Sequence, residues 1–103
     1  MLKLLGIKPS SHSDKKVMAI FYNTETRAVK RVHFGQQGAQ DYTTLPENIR
    51  DARKELYIKR HRKREEKYWD NTPDKAGTLS RWILWNLPNF KDSVRDYKKR
   101  FNF

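Results

Sequence analysis

The sequence predicts an α+β domain in which a three-stranded antiparallel β-meander is followed by three α-helices packed on it. Residues 17–23 and 28–34 are rich in β-branched and aromatic residues, and four turn residues, TETR, separate them. This pattern is typical of a β-hairpin. Beyond residue 45 the apolar residues recur at helical spacing, most clearly along residues 90–101.

The first 34 residues are expected to form the meander. LKLLGI at 2–7 gives a short first strand, and PSSHSDKK at 9–16 has the composition of a loop. VMAIFYN at 17–23 is apolar on both faces, which is typical of a strand in the middle of a sheet. AVKRVHF at 28–34 alternates more clearly between apolar and polar residues, as a strand with one exposed face does.

Residues 35–45 are expected to form a glycine-containing loop, and residues 46–103 the helical part of a single domain. Gly35 and Gly38 indicate a turn that needs positive backbone angles. In the segment TLPE, Thr44 and Glu47 have the spacing of a capping box, which predicts the start of a helix.

This first helix is expected at about 46–68, with Pro46 in its first turn. Two stripes run along it at helical spacing. The apolar stripe consists of Ile49, Ala52 and Leu56, and the neighbouring stripe consists of Tyr57, His61 and Tyr68.

Two shorter helices are expected to complete the fold. TLSRWILW at 78–85, with Thr78 as its cap, is apolar around most of its circumference and predicts an enclosed helix. Asn89 is expected to cap the last helix. The residues that we expect to be buried together against residues 17–34 are Trp82, Trp85, Phe90, Val94, Tyr97 and Phe101.

The composition argues against most enzyme classes. The chain has no cysteine, so disulfides and thiolate metal sites are excluded. His12, His33 and His61 lack partners at metal-ligand spacing, and we expect neither a metal nor a cofactor. No apolar stretch approaches the ~20 residues of a membrane span. We therefore expect a protein that is not an enzyme.

The net charge of +11 in 103 residues indicates an anionic partner. The basic segment LYIKRHRKREEKYW at 56–69 can be a solvated helix face, a nucleic-acid contact or a contact for an acidic protein. Because its cations wrap around the helix and alternate with acids, we expect an acidic protein partner, with sequence-independent nucleic-acid binding as the alternative.

The candidate binding residues are Lys59, Arg60, Arg62, Lys63, Arg64, Lys98, Lys99 and Arg100. Tyr68 and Trp69, at the end of the first helix, are candidates for an exposed aromatic contact.

Several segments in order resemble a family of small basic proteins that large double-stranded-DNA viruses of algae and protists encode. They are VHFGQQGAQDYT (32–43), RKELYIKRHRKRE (53–65), AGTLSRWILWN (76–86) and KDSVRDYKKRF (91–101). The positions that carry the resemblance are His33, Phe34, Gly35, Asp41, Tyr42, Thr43, Tyr57, Arg60, His61, Ala76, Gly77, Trp82, Trp85, Arg100 and Phe101.

The resemblance implies a viral origin and a minor capsid or internal virion component. It implies other virion proteins as partners, and a location in the virion or, during assembly, in the host cytoplasm or nucleus. It supplies no catalytic residues. The recurring His, Asp, Tyr and Arg residues are expected to form a polar network that fixes the fold at least as much as a site.

Overall fold

The computed structural model of the protein describes residues 1–103 and confirms the predicted α+β fold. A three-stranded antiparallel sheet in the order β1-β2-β3 is formed by β1 (Leu2–Pro9), β2 (Lys15–Asn23) and β3 (Ala28–Gln36). The helices are α1 (Glu47–Trp69), α2 (Ala76–Leu79), which continues into a π-helical turn (Ser80–Leu84), and α3 (Phe90–Phe101). None of the helices has both the length and the hydrophobicity that crossing a membrane requires.

The central position of β2 agrees with its sequence. Val17 pairs with Phe34 and Ala19 pairs with Val32, so four apolar side chains share one face of the sheet. Residues 24–27 connect β2 to β3, as predicted from the TETR segment. The pairing of β1 with β2 shifts register between Leu4 and Gly6.

The core lies between one face of the sheet and the layer formed by α2, the π-helical turn and α3. Its members are Val17, Ala19, Phe21, Val32, Phe34, Leu79, Ile83, Leu84 and Tyr97. Tyr97 is fully buried, and its hydroxyl donates a 2.7 Å hydrogen bond to the carbonyl oxygen of Pro73. Burial raises the pKa of Tyr97, so this donor keeps its proton.

The expected aromatic cluster is present, apart from Phe90. Trp82, Trp85, Val94 and Phe101 are partly buried and pack against the core. Phe90 is 36% exposed, so its predicted burial is wrong. It is the first residue of α3 and lies beside Ile7 of the edge strand β1, where the sheet ends.

The predicted cap of α3 is confirmed, but those of the two earlier helices are wrong. Asn89 Oδ1 accepts a 3.1 Å hydrogen bond from the amide of Asp92. Thr44 instead accepts a 2.9 Å bond from the Asp41 amide, which closes the loop before α1. Thr78 lies inside α2, where its buried hydroxyl donates a 3.4 Å bond to the carbonyl of Tyr68.

The predicted positive backbone angles are confirmed at both glycines of the 35–45 loop. The φ angles of Gly35 and Gly38 are +78° and +85°. This loop carries the chain from the end of β3 to the start of α1.

Candidate binding surface

Helix α1 packs chiefly against α2, and the other side of α1 faces solvent. The half-buried side chains recur every three to four residues and include Lys54, Tyr57, His61, Glu65 and Tyr68. The stripe that contacts the fold is therefore the aromatic and polar one.

The predicted apolar stripe of α1 does not face the core. Ile49 is 39% exposed and Leu56 is 46% exposed, and Ala52 between them is exposed as well. No other element of the fold covers these side chains, which leaves an apolar strip on the solvent side of α1.

Aromatic stacking holds the inner side of α1. The Tyr57 ring stacks on the Trp85 ring at 4.7 Å between centroids with 9° between planes, and on the His61 ring at 4.2 Å. Burial raises the pKa of Tyr57, and the nearby Glu65 carboxylate raises it further. The phenol is therefore neutral at physiological pH and contributes packing, not charge.

Glu65 contacts His61 and Trp69 of α1 and lies against Gly77 of α2. Its carboxylate lies 2.6 Å from His61 Nδ1 and accepts a 3.3 Å hydrogen bond from Trp69 Nε1. Gly77 of α2 approaches it so closely that a Cβ there would lie 2.6 Å from Glu65 Oε1 and 2.8 Å from the Tyr68 hydroxyl oxygen. This position of α2 therefore accepts only glycine without rearrangement.

A cleft of about 470 Å³ lies between the end of the sheet and the inner side of α1. Asp41, which is 2% exposed, lies on its wall and binds Lys16 Nζ at 2.8 Å and the amide of Thr43 at 2.8 Å. Because Asp41 is held by Lys16, and Glu65 by His61 and Trp69, both carboxylates already have partners within the fold. This arrangement fits a polar network that fixes the 35–45 loop and α1.

The 15 residues that carry the viral resemblance contribute heavily to this cleft. Those that line it are His33, Phe34, Gly35, Asp41, Tyr57, Arg60, His61, Ala76, Gly77 and Trp85. Residues that lie up to 52 positions apart in the sequence, from His33 to Trp85, thus line one cleft.

The carboxylates of α1 are clustered on one side of the helix. At 100° per residue, the five carboxylates of α1 (Glu47, Asp51, Glu55, Glu65 and Glu66) fall within about a third of the helix circumference. Next to this acidic side, and opposite the inner side, Ile49, Ala52, Leu56, Lys59, Lys63 and Lys67 form an exposed stripe without a carboxylate, which we call the outer face of α1. Its amino-terminal half is apolar and its carboxy-terminal half is basic.

Residues 5–61, from β1 to the middle of α1, match a family of unknown function, DUF5754. The chain belongs to this family. No curated protein and no solved structure matches the chain. The DUF5754 match covers β2, β3, the 35–45 loop and the apolar half of the outer face, but it assigns no role to any of these residues.

The predicted basic residues of α1 are all exposed, but they lie on different sides of the helix. Lys59 and Lys63 lie on the outer face, whereas Arg60 extends to the rim of the cleft. Arg64 is exposed and at 100° per residue points beyond Arg60, away from the outer face. Arg62 lies on the acidic side, where it pairs with Glu66 at 2.6 Å. The cations therefore point in several directions around α1, and Arg62 lies among the carboxylates.

The predicted basic residues of α3 also differ in their surroundings. Lys98 and Lys99 are exposed at the end of α3. The Arg100 guanidinium lies 3.6 Å from the centre of the Trp82 ring and 3.4 Å from the Asp96 carboxylate, so it takes part in packing.

The predicted exposed aromatic contact is wrong for Trp69, which is only 5% exposed. Its carbonyl accepts a 2.7 Å hydrogen bond from Trp82 Nε1, because the chain turns back after α1 and packs the π-helical turn on its end. Tyr68 is half-buried, and burial and the Glu65 carboxylate raise its pKa. The predicted contact through Tyr68 therefore stays a prediction, with only part of its ring open to a partner.

Proposed function

We propose that the protein is a non-enzymatic docking protein that binds an acidic protein surface through the outer face of α1. The observation that carries this proposal is the composition of that face. Ile49 and Leu56 are exposed beside Lys59, Lys63 and Lys67, and no element of the fold covers them.

The apolar half of the outer face favours a protein over a phosphate backbone. Protein interfaces have an apolar centre and a polar rim, and Ile49, Ala52 and Leu56 can supply that centre. A sugar–phosphate chain would neutralise the lysines but would leave these side chains in water. Because the outer face has no carboxylate, the matching surface of the partner is acidic.

The non-enzymatic part of the proposal is supported by the cleft. Its two carboxylates, Asp41 and Glu65, are each bound by side chains of the protein itself. A catalytic acid or base needs access to a substrate proton. Because both carboxylates are already bound within the protein, we assign them a structural role.

The resemblance to small basic proteins of large DNA viruses supports a virion protein as the partner. In this proposal the protein joins the particle through contacts with neighbouring proteins.

Binding to two synthetic acidic peptides tests the docking surface. One peptide is polyglutamate, and the other has the same charge with leucines at helical spacing. We expect the leucine-containing peptide to bind more tightly, because Ile49 and Leu56 bury apolar surface against it. The variant Ile49→Ser/Leu56→Ser is expected to lose that increment, roughly tenfold or more, and to keep its affinity for polyglutamate.

Two variants with equal charge change complete this experiment. Replacing Lys59, Lys63 and Lys67 by Gln is expected to weaken binding of both peptides, whereas replacing Lys91, Lys98 and Lys99 of α3 by Gln is expected to have a much smaller effect. Equal losses from the two variants would mean that net charge alone drives binding, and the proposal would be wrong.

Fractionation of purified particles tests the viral part of the proposal. We expect the protein in the virions of the virus that encodes it, and in the fraction that contains the shell. Recovery with the genome, together with tight duplex binding and a slope of log affinity against log salt of about −3.5 or steeper, would favour the nucleic-acid alternative.

A further inference from the structure

The sheet has a second face that no helix covers. The side chains of Ala19, Phe21 and Val32 point to the helical layer, so their neighbours along each strand point away from it. On this open face Val29 is 49% exposed, and Leu5, at the irregularity of β1, is 59% exposed. Only the loop at residues 10–14 folds over one end, where Ser10 Oγ lies 2.7 Å from His33 Nδ1.

The strand register arranges the open face in three rows across the sheet. The rows are Lys3–Tyr22–Val29, Gly6–Ile20–Arg31 and Lys8–Met18–His33. The middle strand therefore contributes an apolar ridge in which Tyr22 and Ile20 are partly exposed, whereas Met18, at the His33 end, is only 9% exposed. Both edge strands contribute cations.

The cations of the open face have no carboxylate partner. The three strands contain no Asp or Glu, and Asp14 and Glu25 lie in the connecting loops. Lys16 and Lys30 are paired with Asp41 and Asp74, at 2.8 and 3.0 Å.

In contrast, Lys3, Lys8 and Arg31 are exposed and form no ion pair. An unpaired cation on each side of an apolar ridge is complementary to a ligand with flat apolar groups along its middle and anionic groups along its edges.

Gly6 has no side chain and therefore leaves space in the row Gly6–Ile20–Arg31. A Cβ at this position would meet only Lys8 Cε, at 3.8 Å, so the space above this residue is free. Ile20 is thereby accessible from the β1 side. At the next row, the stacked rings of His12 and His33, 3.5 Å apart, continue the flat surface.

We propose that the open face of the sheet binds single-stranded nucleic acid, with bases against Tyr22 and Ile20 and phosphates beside Lys3, Lys8 and Arg31. Unstacked bases pack on aromatic side chains of a sheet, and a basic surface follows the backbone. In a duplex the bases are stacked on one another, so Tyr22 would gain no contact from it. This surface is separate from the outer face of α1, and the inference does not depend on the proposed docking function.

Fluorescence anisotropy with a labelled oligothymidylate and with a duplex of equal length tests this inference. We expect the single strand to bind more tightly than the duplex. The variant Tyr22→Leu is expected to weaken single-strand binding by about 5- to 100-fold, and Tyr22→Phe to retain it, because the ring and not the hydroxyl stacks on the base. Thermal unfolding of both variants shows that they are folded.

Two charge variants locate the site. Replacing Lys3, Lys8 and Arg31 by Gln is expected to make the slope of log affinity against log salt shallower by about 2, the loss of three phosphate contacts. The matched control replaces Lys59, Lys63 and Lys67 of α1 by Gln and is expected to change the slope much less. Three results would each overturn the inference: equal loss in both variants, duplex binding as tight as single-strand binding, or full displacement by polyglutamate at equal charge.

Discussion

The contact between Gly77 and Glu65 gives a quantitative test of how α1 is attached to the rest of the protein. In Gly77→Ala the new Cβ would lie 2.6 Å from Glu65 Oε1, so the carboxylate must retreat. Glu65 would then lose its bonds to His61 and to Trp69, which are now 2.6 and 3.3 Å long. One of these is charge-assisted, so together they contribute about 2–4 kcal/mol.

Alanine also gains about 1 kcal/mol over glycine in a helix, and this gain opposes the loss. We therefore expect Gly77→Ala to lower the free energy of unfolding by about 1–3 kcal/mol, which corresponds to a melting temperature lower by roughly 4 °C or more. Urea unfolding measures the change, with a constant m value as the sign that only stability has changed.

A double-mutant cycle separates steric contact from other effects. Glu65→Ala removes the nearer of the two atoms that the new Cβ would strike and leaves the Tyr68 hydroxyl oxygen at 2.8 Å. Adding Gly77→Ala to it is therefore expected to cost at least about 1 kcal/mol less than in the wild type. Gly6→Ala, whose Cβ would meet nothing closer than 3.8 Å, is the control and is expected to change stability by less than about 0.5 kcal/mol. Strict additivity of the two substitutions would refute the described contact.

Two further predictions concern the core and the open face. Tyr97→Phe removes the donor to the Pro73 carbonyl and is expected to lower the free energy of unfolding by about 1–2 kcal/mol in calorimetry; an unchanged melting temperature would contradict the buried hydrogen bond. Burial and His12 lower the pKa of His33 below its ordinary 6.5, so the unfolded chain takes up the proton first as the pH falls. The stability that neutral His33 contributes is thus present above about pH 6.5 and lost below it. The melting temperature is expected to decrease from pH ~7 to pH ~5, and less so in His33→Gln; equal slopes in both proteins would exclude this role.

The parts of the fold that depend on local signals could be predicted from the sequence. The four residues TETR mark the β2–β3 turn, and α1 begins and ends one residue later than expected. The Asn89 cap and the two glycines with positive φ are also local features. In each case neighbouring residues determine the backbone, so the sequence pattern is sufficient.

The orientation of α1 could not be predicted from hydrophobicity. Ile49 and Leu56 are the more apolar stripe, yet Tyr57 and His61 face the fold because Trp85 and Glu65 complete their environment. Trp85 lies 28 positions after Tyr57, and no short-range pattern connects them. The burial of Trp69 has the same origin, since its partner Trp82 follows in the next helical segment.

The clustering of the carboxylates on α1 was accessible from the sequence. Placing each residue of α1 at 100° intervals assigns all five carboxylates to one side without any knowledge of tertiary structure. The open face of the sheet was not accessible in this way, because its rows depend on the register between β1 and β2, including the shift between Leu4 and Gly6.

The sheet has two unpaired edges, and its lack of carboxylates affects how copies of the protein meet. An exposed edge strand is a template for pairing with another chain. Here β1 and β3 are both edges, and joining them would bring lysines and Arg31 of one copy against those of another, with no Asp or Glu in any strand to offset the repulsion. This repulsion acts over about 8 Å at physiological salt but only about 3 Å at 1 M. Concentrated salt, or a polyanion that coats the sheet, therefore weakens the repulsion that keeps the strand edges of neighbouring molecules apart.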